Sequence, residues 1–195
     1  MFRKELKVLD CTIRDGGLIN NYNFTDEFVK AVYAATCESG VDYMEIGKKL
    51  CVSDTYTREK FGKWNFCDED DLKKVVDSYD GDNRPTLAVM YDVGRVDTDS
   101  LAPVDQSVVG MIRTACYVAD IDKGLDLVKR SKDQGYETTI NIMAPSAAIE
   151  SDLIEALQQV ENSPEVDYLY FVDSYGAFYS EQITSYLNLF KKYLK

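Results

Sequence analysis

Asp10-Cys11-Thr12-Ile13-Arg14-Asp15-Gly16-Gly17 sets an arginine beside a carboxylate directly after an apolar run and follows them with two glycines. Those residue types suit a defined chemistry. Asp15 can hold a hard divalent cation through oxygen, and Arg14 can stabilise an oxyanion beside it. Glycines leave the backbone room for a ligand to come close. An ordinary Arg–Asp pair in a turn is the competing reading, and the rest of the chain has to decide between them. Further polar residues stand at the ends of later apolar segments: Thr12, Glu45, Arg113, Asn141, Asp173 and Ser174. Alone, each is a helix cap or a buried ion pair. Converging on one rim, they make a site for a small, anionic, oxygen-rich ligand with a metal.

The elements that must position these residues alternate. Apolar runs predict strands at Leu6–Cys11, Tyr43–Ile46, Thr86–Tyr91, Val108–Cys116, Thr138–Met143 and Val166–Val172. Between them fall helical patterns. Thr25 caps one with Phe28, Val32 and Thr36 on a face and Gly40 as its stop. Asp68 caps a second, Asp120 opens another, Ser146 caps the next, and the last runs from Ser180 with Ile183, Leu187 and Phe190 on one stripe. A short helix near 99–101 is poorly marked. The aromatic stretch 55–66 is either a lid over the strand ends or packing on the rim. Six β-then-α units in succession predict right-handed crossovers and a parallel sheet. No Gly-x-Gly-x-x-Gly follows the first strand and no Walker-type loop occurs, which weakens a nucleotide-binding version. A closed (β/α)8 barrel needs eight units and about 250 residues; this sequence offers six units in 195. Periodicity cannot separate an open doubly wound sheet from a barrel, and residues 1–195 are expected to form one domain.

Composition narrows the partners. The apolar fraction of 45%, with 14 Tyr and 8 Phe, predicts a packed core. A formal charge of -12 disfavours a nucleic-acid or anionic-membrane surface. No run approaches the roughly 18 apolar residues of a membrane span. Five scattered cysteines without a Cys-x-x-Cys pair read as reduced thiols in a cytoplasmic protein. Histidine is absent from the sequence.

The opening motif resembles the signature strand of the DRE-TIM metallolyases, the superfamily of 4-hydroxy-2-oxovalerate aldolase, hydroxymethylglutaryl-CoA lyase and the isopropylmalate and homocitrate synthases. Within it the aldolase branch is most similar. Met111-Ile112-Arg113-Thr114-Ala115 resembles its fourth strand, and Tyr170-Phe171-Val172-Asp173-Ser174-Tyr175-Gly176-Ala177 its sixth. The resemblance implies an α/β fold of the TIM (β/α)8-barrel type, incomplete here with six βα units, and divalent-metal-dependent aldol or retro-aldol chemistry on a 2-oxo acid such as pyruvate. Asp15 would then bind Mn²⁺ or Mg²⁺ and Arg14 would stabilise the enolate oxygen.

Two departures accompany it. The superfamily completes its metal site with a His-x-His pair from a seventh strand, and the branch places a further histidine shortly after Arg-Asp-Gly, where this sequence has Leu18 and Ile19. Three functions are therefore expected to compete: the N-terminal portion of an aldolase-type enzyme, inactive by itself; a non-catalytic remnant that binds a 2-oxo acid or a protein partner; and a phosphate- or nucleotide-binding α/β domain. Open sheet edges in an unclosed barrel also predict self-association.

Overall fold

A computed structural model describes residues 5–96 and 101–195. Six parallel strands form one sheet in the order β1-β2-β3-β4-β5-β6: β1 (Leu9–Asp10), β2 (Tyr43–Lys48), β3 (Thr86–Asp92), β4 (Val109–Tyr117), β5 (Glu137–Met143) and β6 (Tyr168–Tyr170). Each strand pairs with its sequence neighbours, as successive right-handed βα units in a barrel wall require. A doubly wound sheet would reverse its order midway. The architecture is a curled half-barrel. The helices are α1 (Thr12–Asn20), α2 (Asp26–Ser39), α3 (Glu69–Val76), α4 (Ile121–Asp133), α5 (Glu150–Glu161) and α6 (Ser180–Tyr193).

The outer face of the sheet and the helices bury the apolar core. Met44, Ile46, Leu87, Val89 and Ile112 pack with Val29, Tyr33, Leu72 and Trp64. A second cluster joins Ile140 and Ile142 to Leu153, Leu157 and Phe190. Gly47 is required here, because a Cβ at that position would lie 2.1 Å from the Trp64 carbonyl oxygen. Trp64 and Phe66 are buried, so the aromatic stretch at 55–66 contributes packing beneath the rim.

Several boundaries differ from expectation. The first strand shrinks to two residues, and the motif after it is helix α1 where a loop was expected. The Asp10 carboxylate accepts the Thr12 N–H at 3.1 Å and its hydroxyl at 2.8 Å, closing the first turn. Gly17 serves packing in place of ligand approach, since a Cβ there would collide with the Tyr22 ring at 2.2 Å. Helix α2 turns Val29, Tyr33, Thr36 and Cys37 inward; Phe28 is half exposed and stacks on Phe24 at 5.4 Å. Pro145–Ala147 is a 3-10 turn and α5 begins later than Ser146, at Glu150. The helix expected near 99–101 falls largely on residues outside those described. None of the five cysteines, all among the described residues, forms a disulfide. Among the described residues, no helix is long and apolar enough to cross a membrane.

Candidate functional site

Side chains alternate across a strand, so one face of each strand looks into the half-barrel. That inner face is polar. Near one end, Tyr43 donates its hydroxyl to Glu137 Oε1 at 2.9 Å. One layer further along, Glu45 is fully buried and gathers two arginines. Arg14 Nε donates to Glu45 Oε2 at 2.6 Å, and Arg113 Nη1 pairs with the same oxygen. The Cys11 thiol approaches that oxygen at 3.5 Å. The Arg113 guanidinium lies 4.3 Å from the centroid of the Tyr170 ring. Burial opposes the charge on Arg14, but Glu45 and then Asp15 outweigh it and hold the guanidinium above its usual pKa. The Cys11 thiol is pushed up to about 12 by burial and then by Glu45, which keeps it protonated.

Above this ionic layer opens a cleft of about 600 Å³. Arg14, Asp15, Asn141, Asp173 and Ser174 line it, so these expected residues share one end of the sheet. Glu45 and Arg113 lie beneath, as supports to Arg14. Thr12 is turned away, its hydroxyl committed to Asp10. Asp15 is more than half exposed and pairs with Arg14 Nη1 at 2.5 Å. Asp173 accepts the backbone N–H groups of Phe178 at 3.0 Å and Ala177 at 3.1 Å. The Phe178 bond above all holds its carboxyl below the usual range. Ser174 Oγ accepts the Ala144 N–H at 2.9 Å. Both of these side chains therefore shape the loop after β6 while facing the cleft.

The ends of β2 and β3 bring cleft residues that the sequence reading missed. Lys48 pairs with Asp92 at 3.1 Å, and Arg95 stands 3.8 Å from the same carboxylate. The signal that marked the other residues, a polar side chain at a carboxyl strand end, also applied to Lys48 and Asp92. The expected strands stopped one or two residues short of them. Some buried polar atoms on or beside the inner face have no hydrogen-bond partner among the described residues: Glu45 Oε1, Arg113 Nε, Thr139 Oγ1 and Asn141 Oδ1. Of these residues Asn141 lines the cleft.

The donors do not fit a transition-metal centre. Among the described residues no three His, Cys, Asp or Glu side chains converge. Asp15 is a single carboxylate already paired with Arg14, and no imidazole is encoded. What the arrangement can do is hold an anion. A guanidinium carries five N–H donors, more than Glu45 and Asp15 take up, and it is fixed in place from below.

No protein-family model matches the chain. It is 24% identical over 184 residues to oxaloacetate decarboxylase of Mycobacterium tuberculosis, covering 94% of this chain and 52% of that protein. It is 26% identical over 192 residues to 4-hydroxy-2-oxovalerate aldolase of Pelotomaculum thermopropionicum, covering 97% and 54%. Among solved structures, the N-terminal domain of a Bacteroides vulgatus protein assigned as an aldolase superposes with a TM-score of 0.75 at 27% identity, covering 97% of this chain and 62% of that one. The carboxyl transferase domain of Rhizobium etli pyruvate carboxylase shares the fold, with a TM-score of 0.70 at 9% identity over 98% of this chain and 34% of that one. The chain spans about half the length of the curated relatives it matches.

Proposed function

With aldolase and decarboxylase homologues and the half-barrel of an aldolase domain supporting the DRE-TIM pyruvate-carboxyltransferase-like superfamily, we propose that this chain binds a 2-oxo acid in the cleft and stabilises its enolate at Arg14. The observation that carries this reading is Arg14 itself, clamped between buried Glu45 and exposed Asp15 at the cleft wall. Breaking a carbon–carbon bond next to a 2-oxo acid leaves negative charge on the former carbonyl oxygen. A cation held rigidly at that oxygen lowers the barrier without reorganising. Asn141 gives the same ligand a second polar contact, and the backbone-held Asp173 and Ser174 wall the far side. Thr12 orders the first turn of α1, and Arg113 acts by sharing Glu45 with Arg14.

Within this reading Asp15 is the carboxylate that would take part in holding Mn²⁺ or Mg²⁺, where the metal would supply Lewis acidity. The described residues offer too few further donors, so the 195-residue chain is expected to bind Mn²⁺ weakly and to show no aldolase turnover by itself. Its free thiols suit a reducing, cytoplasmic setting. The outer edges of β1 and β6 offer backbone groups for self-association.

Titration calorimetry with pyruvate and with oxamate, a stable analogue of the planar enolate, tests the binding step. Both should bind, and Arg14→Lys should lose most of the affinity, because an ammonium cannot replace the fork geometry. Unchanged affinity in that variant would refute the role of Arg14. Pyruvate release from a 4-hydroxy-2-oxo acid by the purified chain, abolished by Asp15→Asn, would refute the expected lack of turnover.

A further inference from the structure

The cleft is lopsided. Its lining cations, Arg14, Lys48 and Arg95, all stand at the ends of β1–β3, together with Asp15, Asp92 and the apolar Leu18, Met90 and Val93. The wall at the ends of β4–β6 sets Tyr117, Met143 and Val172 beside Asn141 and Ser174 and, among the described residues, brings no cation to the lining. The carboxylates on that second wall are committed locally, Asp120 to Lys123 at 2.6 Å and Asp173 to backbone N–H groups. Beyond it a groove of about 280 Å³ continues outward between the loops that follow β4 and β5. Tyr117 and Met143 line both spaces, so the groove is an annex of the cleft. Ala144, Ala147, Ile149 and Tyr175 extend its apolar lining, and among the described residues Asp152 is the one charged side chain there.

Two further observations mark the annex as built to be filled. Tyr117, Ile149 and Tyr175 are 51%, 69% and 64% exposed, yet they gather around one concavity, where single apolar residues scattered over a surface would call for no explanation. Ala144 adopts a left-handed φ of 50°, which a non-glycine residue takes only when held. The hydrogen bond from its N–H to Ser174 Oγ holds it. That bond ties the floor of the groove to the wall of the cleft.

We propose that the compound handled here is amphipathic: its anionic end faces Arg14 and an apolar substituent, a short alkyl chain or a single ring, lies in the annex. The identity of the anionic end as a 2-oxo acid rests on the function proposed above; the apolar end rests on the annex alone. A small polar carbonyl compound would leave Tyr117, Ile149 and Tyr175 uncovered.

Two measurements separate these parts. Calorimetry compares pyruvate with 2-oxooctanoate, and methyl NMR follows Met143 and Ile149 as benzyl alcohol, a neutral apolar compound, is added. The expected results are about tenfold or greater tightening for 2-oxooctanoate, collapse of that ratio toward one in Ile149→Asp, and shifts at both methyls. Equal affinities for the two acids, or silent methyls, would overturn the apolar end while leaving the 2-oxo acid reading intact. Shifted methyls with neither acid binding would support the apolar ligand and refute the 2-oxo acid. Methyl shifts that depend on protein concentration, without any added compound, would assign the groove to a second copy of the chain and overturn the proposal.

Discussion

The two faces of the sheet are both buried, yet they are held by different forces. On β5, Ile140 and Ile142 belong to the apolar cluster under the helices, while Thr139 and Asn141, which alternate with them, face the half-barrel and keep side-chain atoms without hydrogen-bond partners among the described residues. On β2, Met44 and Ile46 enter the outer core and Glu45 between them takes two arginines. TIM-barrel interiors are usually filled with branched apolar residues. Here that interior also holds an ionic cluster, Glu45 with Arg14 and Arg113. The outer face makes the fold, and the inner face spends buried polar surface on positioning Arg14.

The largest way to break this contrast is to remove the shared anion. Glu45→Gln should leave Arg113 buried without its carboxylate partner and Arg14 with the exposed Asp15 alone, and breaking such a buried pair typically costs about 3–5 kcal/mol. Urea unfolding would measure it, and pyruvate affinity should fall in whatever fraction remains folded. A loss below about 1 kcal/mol would mean that the arginines find other partners and that the inner face is not an ionic framework.

A change of similar depth on the outer face should behave differently. Ile140 is fully buried, and Ile140→Val should cost about 0.5–1.5 kcal/mol as a small cavity. Ligand affinity should not move, because Ile140 packs against helices and has no part in the cleft. If affinity for pyruvate or oxamate drops along with stability, the two faces are mechanically coupled and the division drawn between them is too sharp.

The same contrast explains what was legible in the sequence. Helical and strand periodicity reports which residues meet other apolar residues, so the outer face and the six βα units could be read, whereas the order of the sheet could not, since the same pattern suits a doubly wound sheet. The inner face obeys no periodicity of its own. Arg14, Asp15, Asn141 and Asp173 were found through residue chemistry at strand ends, and they do line the cleft. The exchange of Glu45 between Arg14 and Arg113 joins residues 31 and 68 positions away, which no local pattern reveals. Helix α1 was missed because Gly16 and Gly17 read as loop. Its hold comes from the Asp10 cap and from Tyr22 filling the place of a Cβ at Gly17.

A third comparison concerns the free edge. Phe190 of α6 is buried in the second apolar cluster, but Ile183 and Leu187 on the same helix are each more than a third exposed. Ile183→Ser should therefore change stability by no more than about 0.5 kcal/mol. Its effect should appear in sedimentation, where the parent chain self-associates and the variant does so less. A monomeric parent with a sharp melt would mean that this edge is tolerated as it stands.

The smallest expected effect is confined to one loop. Asp173 is half-buried, and its carboxyl is held below the usual range chiefly by the Phe178 N–H, with the Ala177 N–H adding to it. A carboxyl whose pKa is depressed by folding adds stability that is present above its unfolded pKa, about 3.9 for aspartate, and is lost as pH falls through the lower folded value. Amide exchange protection at Ala177 and Phe178 should then fall as the solution is acidified below about pH 4, ahead of global unfolding. In Asp173→Asn the same amides should be weakly protected at neutral pH and show no such titration, since a neutral amide oxygen is a poorer acceptor than a carboxylate. Because Ser174 follows directly and holds Ala144, loosening this loop should also loosen the floor of the apolar groove. Affinity for an apolar-tailed acid should therefore decline in Asp173→Asn relative to pyruvate. A decline shared equally by both acids would instead place Asp173 at the anionic end of the ligand and move the boundary between the charged and apolar walls of the cleft.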